Sequence, residues 1–223
     1  MLGDVTREQG RTILGMKRRT SELWAQQDRH PGDRWRLFST VGDAIKAETV
    51  LYPGSYVDVA PSFVFPSVTY VEIDRRAAAF FADRDGVNKI ISSHAGAPAD
   101  PELAFIHGDY PDDLGLLKQA FDLLVSLCAG FVSEYCLENL SVGGHLLVNS
   151  SHGDAALASI NDRLRLTGVV LTTSTGYRYS SEDLAKYLIP KVEVEVTREL
   201  ILGRGRGIGY TKSPFAYLFE RVS

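Results

Sequence analysis

From residue 48 onward the chain alternates short β-branched and aromatic runs with short helical stretches, and few architectures accept that order. Strand-like runs fall at residues 49–52, 68–73, 103–107, 121–127 and 144–149. Between the first two, Pro61 and Pro66 leave room only for a short helix. Asp74 is a candidate N-cap for a helix over 75–82, and a second helical piece is expected over 85–93. Amphipathic stretches at 130–140 and from Asp154 to about 166 complete the alternation. Strand-to-strand steps bridged by helices imply a largely parallel sheet covered on both faces, a doubly wound α/β fold. The last third departs from this order. "TGVVLTT", "KVEVEVTRELIL" and "FAYLFERV" all read as strands, with "SSEDLAKYLI" as a helix among them. They predict an antiparallel C-terminal edge on the parallel sheet.

Residues 1–47 read as an N-terminal helical extension before a single domain over 48–223. Thr6, Ile13, Leu14, Met16, Leu23 and Trp24 form a loose apolar face, broken by "DRHPGDR". The chain's 223 residues suffice for one substantial core. A net charge of −4 argues against a large nucleic-acid footprint. Cys128 and Cys136 stand at neither a disulfide-framework nor a metal-ligand spacing, which predicts a reducing compartment. No apolar run suits a membrane span, and the polar first residues lack a signal peptide's apolar core, so a cytoplasmic location is expected. The oligomeric state is not legible.

In a doubly wound sheet, ligands sit beyond the carboxyl ends of the strands, at the switch point. The residues just after each strand are therefore the candidates. They are Gly54, Ser55 and Tyr56 after the first, Glu72 and Asp74 after the second, and Asp109 and Tyr110 after the third. Ser126 and Cys128 follow the fourth, and Ser150, Ser151 and His152 the fifth. Gly54 permits unusual dihedrals and a close backbone approach. An acid about 20 residues beyond such a glycine can bind both ribose hydroxyls. Asp109 can accept from an exocyclic amine.

"TVLYPGSYVD", "VTYVEID", "AFIHGDYPDD", "FDLLVSLCAGF" and "LSVGGHLLVNSS", in this order, resemble the class I (Rossmann-like) S-adenosylmethionine-dependent methyltransferases over roughly residues 48–165. The resemblance implies a seven-stranded sheet ending in a reversed strand, with S-adenosylmethionine as cofactor and a small-molecule methyl acceptor. It implies that Gly54, Ser55 and Tyr56 form the loop around the methionine part. Glu72 would hold the ribose, Asp109 and Tyr110 would lie near adenine, and Ser126 would line the methionine side. The chain departs from the family where the first loop is most diagnostic. Tyr52 stands where an acid is usual, and Tyr56 and Asp58 stand where later glycines are usual. Two readings follow. Either Ser55 or Asp58 replaces a usual contact, or cofactor binding has been lost and the fold serves as a scaffold. A nicotinamide-dependent oxidoreductase is a further alternative, since an acid after the second strand suits that ribose too. The missing G-x-G-x-x-G counts against it.

Each candidate also has an ordinary structural role. Gly54 can be one corner of a Pro-Gly turn, Asp109 an Asx-turn residue, and Asp58 a helix cap. His152 is a weak candidate for a general base, with a loop role as the alternative. No histidine pair has metal-site spacing, so no metal is expected. "LGRGRGIGYTKSP" reads as a flexible connection whose Arg204, Arg206 and Lys212 can attract an anion.

Overall fold

Successive side chains along a strand point to opposite faces, and the burial of this chain obeys that rule across the whole sheet. The computed structural model describes residues 15–223, so Thr6, Ile13 and Leu14 lie outside the described residues. In β1 (Thr49–Pro53), Val50 and Tyr52 enter one apolar cluster and Leu51 enters another. β2 (Ser67–Glu72) divides Val68 and Tyr70 from Val71 in the same way. β4 (Phe121–Ser126) divides Leu123 and Val125 from Leu124. β3 (Glu102–His107), β5 (Leu140–Val148), β6 (Leu164–Thr173), β7 (Gly176–Ser180) and β8 (Ala216–Arg221) complete the sheet.

Helices cover both faces. α1 (Arg18–Gln27), α2 (Asp33–Ala44), α3 (Arg75–Phe81) and α4 (Arg84–Ser92) bury residues in the first cluster, together with a 3₁₀ turn over Ala60–Phe63. α5 (Val132–Cys136), α6 (Asp154–Ser159) and α7 (Arg198–Arg204) bury theirs in the second. Asp74 caps α3 as its position in the sequence implies, accepting from the Arg76 amide at 2.6 Å. No helix among the described residues is long and apolar enough to cross a membrane.

The strand order is β3-β2-β1-β4-β5-β8-β6-β7. β1 to β5 pair in parallel, while β8 runs antiparallel to both β5 and β6, and β7 antiparallel to β6. The α/β doubly wound class therefore holds, with two changes to its far side. The sheet has eight strands rather than seven. The reversed C-terminal strand is interior, and the edge is β7, which returns from β6 through a tight turn. "KVEVEVTRELIL" is not a strand. β8 fills the place beside β5 with Ala216, Tyr217, Leu218 and Phe219 all buried. The Val-Glu repeat carries a charge at every second position and cannot replace it; Val192 is 74% exposed. Thr197 then caps α7 by accepting from the Leu200 amide at 3.2 Å.

The N-terminal helices are tied to β1 by a buried polar cluster. Arg34 of α2 donates from Nε to Asp58 Oδ2 at 2.7 Å and from Nη2 to the Tyr52 hydroxyl at 2.7 Å. Its Nη2 also lies 2.6 Å from Asp58 Oδ2. Tyr52 donates to the same oxygen at 3.2 Å, and the Ala60 amide donates to Asp58 Oδ1 at 3.2 Å. α1 is held separately, with the Lys17 amide and Thr20 hydroxyl donating to Asp83 Oδ2. The polar break between α1 and α2 is a turn, in which Gly32 (φ 73°) donates to Asp28 Oδ1 at 3.0 Å.

Arg34→Ala leaves Asp58, only 1% exposed, as an uncompensated buried charge. The expected cost is about 3 kcal/mol of unfolding free energy in urea. Tyr52→Phe, which removes one neutral donor, is expected to cost about 1 kcal/mol. Equal effects of the two would contradict the assigned pairing.

Candidate functional site

Sheet order reverses between β1 and β4. From that point β2 and β3 extend one way and β5 the other, so the connections leaving β1 and β4 diverge and open a crevice. A cleft of about 400 Å³ lies there, lined from the ends of β1, β2, β3 and β4. Gly54, Glu72, Asp109, Tyr110 and His152 all line it, so five of the residues singled out in the sequence share one cavity.

Gly54 is a packing necessity as well as a turn. Its φ is 64°, and a Cβ there would lie 2.4 Å from the Ala129 Cβ. The loops after β1 and β4 thus meet backbone against side chain, at a distance only glycine allows. Two other residues near this meeting are left-handed without being glycine, Tyr56 at φ 51° and Cys128 at φ 63°. Such dihedrals persist only where their surroundings hold them. Tyr56 is held by Glu72, whose Oε2 accepts from the Tyr56 amide at 2.8 Å. Cys128 is held by Asn149, which accepts from its amide at 3.4 Å and donates to its sulfur at 3.2 Å.

Glu72 ends β2 at the rim. Its other oxygen, Oε1, accepts from the amides of Ile73 and Asp74 at 2.8 and 3.0 Å. Three donors against about four acceptor positions leave the carboxylate capacity for a ligand hydroxyl. Asp74 is committed elsewhere. The hydrogen-bonded Arg76 guanidinium holds its carboxyl down at about 2, and the same Arg76 lies 5.2 Å over the Tyr56 ring.

Asp109 is not an Asx-turn residue. Its backbone oxygen accepts from Asp112 at 3.0 Å, while its carboxylate makes no hydrogen bond among the described residues. Tyr110 spans the cleft from the β3 end to the β4 end by donating to the Ala129 carbonyl at 2.7 Å. Burial pushes its hydroxyl up to about 12, so it stays a donor at neutral pH. His152 stands on the cleft wall with Nδ1 3.0 Å from the Ser151 hydroxyl.

Ser126 has a different role from the one its position suggests. It lies outside the cleft lining, is 2% exposed, and donates to Asp154 Oδ2 at 2.5 Å. Asp154 also accepts from the Ser133 hydroxyl and amide. The end of β4 is thereby fastened to the starts of α5 and α6, and the serine supports the cleft from behind. Ser55 and Tyr56 line a second cavity of about 370 Å³, which touches the first at Gly54 and Cys128. Arg34 and Gln27 supply its far wall. No local signal marks these two residues, which arrive from the N-terminal helices. The anomalous Tyr52 and Asp58 were the sequence's only hint of a partner for Arg34. Among the described residues no cluster suits a metal ion.

No family model matches the chain, and no curated protein matches it. Solved structures do. It is similar to a putative O-methyltransferase from Klebsiella pneumoniae, at 12% identity and a TM-score of 0.49, covering 75% of this chain and 89% of that one. It is similar to an O-methyltransferase from Bacillus cereus in complex with SAH, at 12% identity and a TM-score of 0.49, covering 75% and 90%. A methyltransferase from Geobacter sulfurreducens matches at 16% identity and a TM-score of 0.48, covering 70% and 87%. At these identities, and with TM-scores below 0.5, both the fold and the site stand on this chain's own residues.

Gly54→Ala is expected to cost about 2–4 kcal/mol, from the forced approach to Ala129 and the left-handed dihedral together. Adding Ala129→Gly should restore the steric part, seen in a double-mutant cycle of urea unfolding. Additive losses would refute the contact. Asp154 gives a pH prediction. Burial raises its carboxyl pKa, so the folded state keeps a proton that the unfolded chain releases near 3.8. Its cost to stability therefore grows as pH climbs from that value through the raised one, and is complete above it. Asp154→Asn should gain on the wild type as pH rises above about 4, the ordinary carboxyl value, and parallel stability curves would exclude the buried charge.

Proposed function

We propose that this chain binds S-adenosylmethionine in the cleft at the switch point and transfers its methyl group to a small-molecule acceptor. The observation that carries this is the meeting of Gly54, Glu72 and Asp109 in one cavity at the ends of β1, β2 and β3. These are the positions that the sequence resemblance assigns to methionine, ribose and adenine contacts. The volume of about 400 Å³ lies within the range of small-molecule sites.

The residues present fit the cofactor. Glu72 keeps acceptor capacity for a ribose hydroxyl, and Asp109 offers an uncommitted carboxylate to an exocyclic amine. Gly54 and Gly130 shape the cradle, since a Cβ at Gly130 would lie 2.7 Å from the Tyr110 hydroxyl. When bound, S-adenosylmethionine supplies a methyl group already activated on a sulfonium. The protein's task is then alignment and exclusion of water more than bond activation. Tyr110 and Ala129 fix the wall between the β3 and β4 ends, and Gly54 lets the β1 loop close against it.

The departures from the family's glycine pattern are compatible with this reading. Tyr52 and Asp58 are spent on docking α2, and Tyr56 gives its amide to Glu72. Free thiols at Cys128 and Cys136 support a cytoplasmic setting.

Calorimetric titration with S-adenosylhomocysteine tests the proposal. The wild type is expected to bind it and to ignore NADH. Glu72→Ala should weaken binding about tenfold or more, the loss of a charged hydrogen-bond acceptor. A folded wild type that binds no S-adenosylhomocysteine would leave the scaffold reading in its place.

A further inference from the structure

The second cavity raises the question of which acceptor it takes. We propose that the acceptor is a carboxylate, a small organic acid with an apolar or aromatic body, held by Arg34 and methylated on oxygen to its methyl ester. This rests on the methyl-transfer reading above.

The cavity of about 370 Å³ adjoins the cofactor cleft, and Gly54 and Cys128 line both. Leu127, Tyr52 and Tyr56 give it an apolar and aromatic share of its lining. Arg34 is the one cation among its described lining residues. Arg34 gives Nε and Nη2 to Asp58 and Tyr52, which leaves Nη1 without a partner among the described residues. The side chain is fixed by those bonds, lines the cavity and is 21% exposed, and its unpartnered Nη1 is not buried, so it remains available as a donor. A guanidinium shared between an internal and an incoming carboxylate is a recognition geometry that Arg supports and Lys does not. Gln27 adds a side-chain amide.

What the wall contains also selects the acceptor's chemistry. A hydroxyl or amine acceptor must lose a proton, and a base must take it. The cavity's described lining holds no carboxylate and no histidine, and its one thiol, Cys128, is engaged by Asn149 through both amide and sulfur. Asp58 lies behind Arg34 and is consumed by it, and Tyr52 is held well above the ordinary phenol range, chiefly by burial. His152 lines the other cavity. A carboxylic acid needs no such base, because it arrives ionised at neutral pH. Its oxygen forms the new bond to the methyl carbon while the methyl–sulfur bond breaks, and that electron pair stays on sulfur. Carboxylate anion and sulfonium cation become neutral ester and neutral thioether, and no proton moves.

Two measurements decide the matter. Benzoate, phenylacetate and hexanoate, each beside its amide, are titrated into the protein loaded with S-adenosylhomocysteine. At least one acid should bind tenfold or more tightly than its amide. Arg34→Lys keeps a cation against Asp58, so it should stay folded and retain S-adenosylhomocysteine affinity while losing the acid tenfold or more. The second measurement supplies methyl-labelled S-adenosylmethionine with the same acids and with matching phenols. Methyl esters release labelled methanol in mild alkali, and methyl ethers do not. Base-labile label from the acids supports the inference. If S-adenosylhomocysteine binds but no acid does, or if only phenols are labelled, the inference falls and the methyl-transfer reading stands. If the folded protein binds no S-adenosylhomocysteine, both fall together.

Discussion

Asp58 is the charge that the site's architecture must accommodate. It lies 1% exposed beneath the loop that follows β1, where an unpaired carboxylate would cost several kcal/mol. Arg34 neutralises it, Tyr52 and the Ala60 amide complete its hydrogen bonds, and the loop becomes rigid as a result. The other side of the same loop is fastened by Glu72, through the Tyr56 amide. Between these two anchors Gly54 meets Ala129. A loop that glycines would make adaptable is here positioned by two carboxylates, one answered from α2 and the other projecting from β2. Gly54 remains glycine because neither anchor can remove the need for it.

The opposing loop, after β4, is built on the same plan. Ser126 is pulled down by Asp154, Asn149 brackets the left-handed Cys128, and Tyr110 grips the Ala129 carbonyl. Both loops hold backbone conformations of limited intrinsic stability, Tyr56 and Cys128, beside the cavity junction. Polar contacts from neighbouring elements fix each one. The crevice arises from the reversal of strand order, but its width and wall chemistry are set by these supporting side chains.

Much of this was legible in the sequence, and the division has a physical cause. Strand ends, the Asp74 cap and a sheet covered on both faces follow from local periodicity, so Gly54, Glu72 and Asp109 could be aligned on one edge from the sequence alone. Features that depend on distant partners were not readable. The Val-Glu alternation at 192–196 has the period of a strand, but a strand needs a vacant neighbour, and β8 already occupies that place with Ala216, Tyr217, Leu218 and Phe219 buried. Ser126 sits at the right register for a ligand contact, yet a buried carboxylate from α6 claims its hydroxyl. Arg34 looked like part of a polar break, because its partner Asp58 is distant in sequence and close only in space.

The two anchors also tie the cavities to each other. Glu72 lines the first cleft, and the Tyr56 amide it accepts from belongs to a residue that lines the second cavity. That hydrogen bond joins a wall of one cavity to a wall of the other. Arg34 and Asp58 fasten the far end of the loop. Gly54 itself meets the β4 loop through Ala129, next to Cys128 at the junction. The loop after β1 is thus short and fastened at both ends, with one cavity on each side of Gly54 and Cys128.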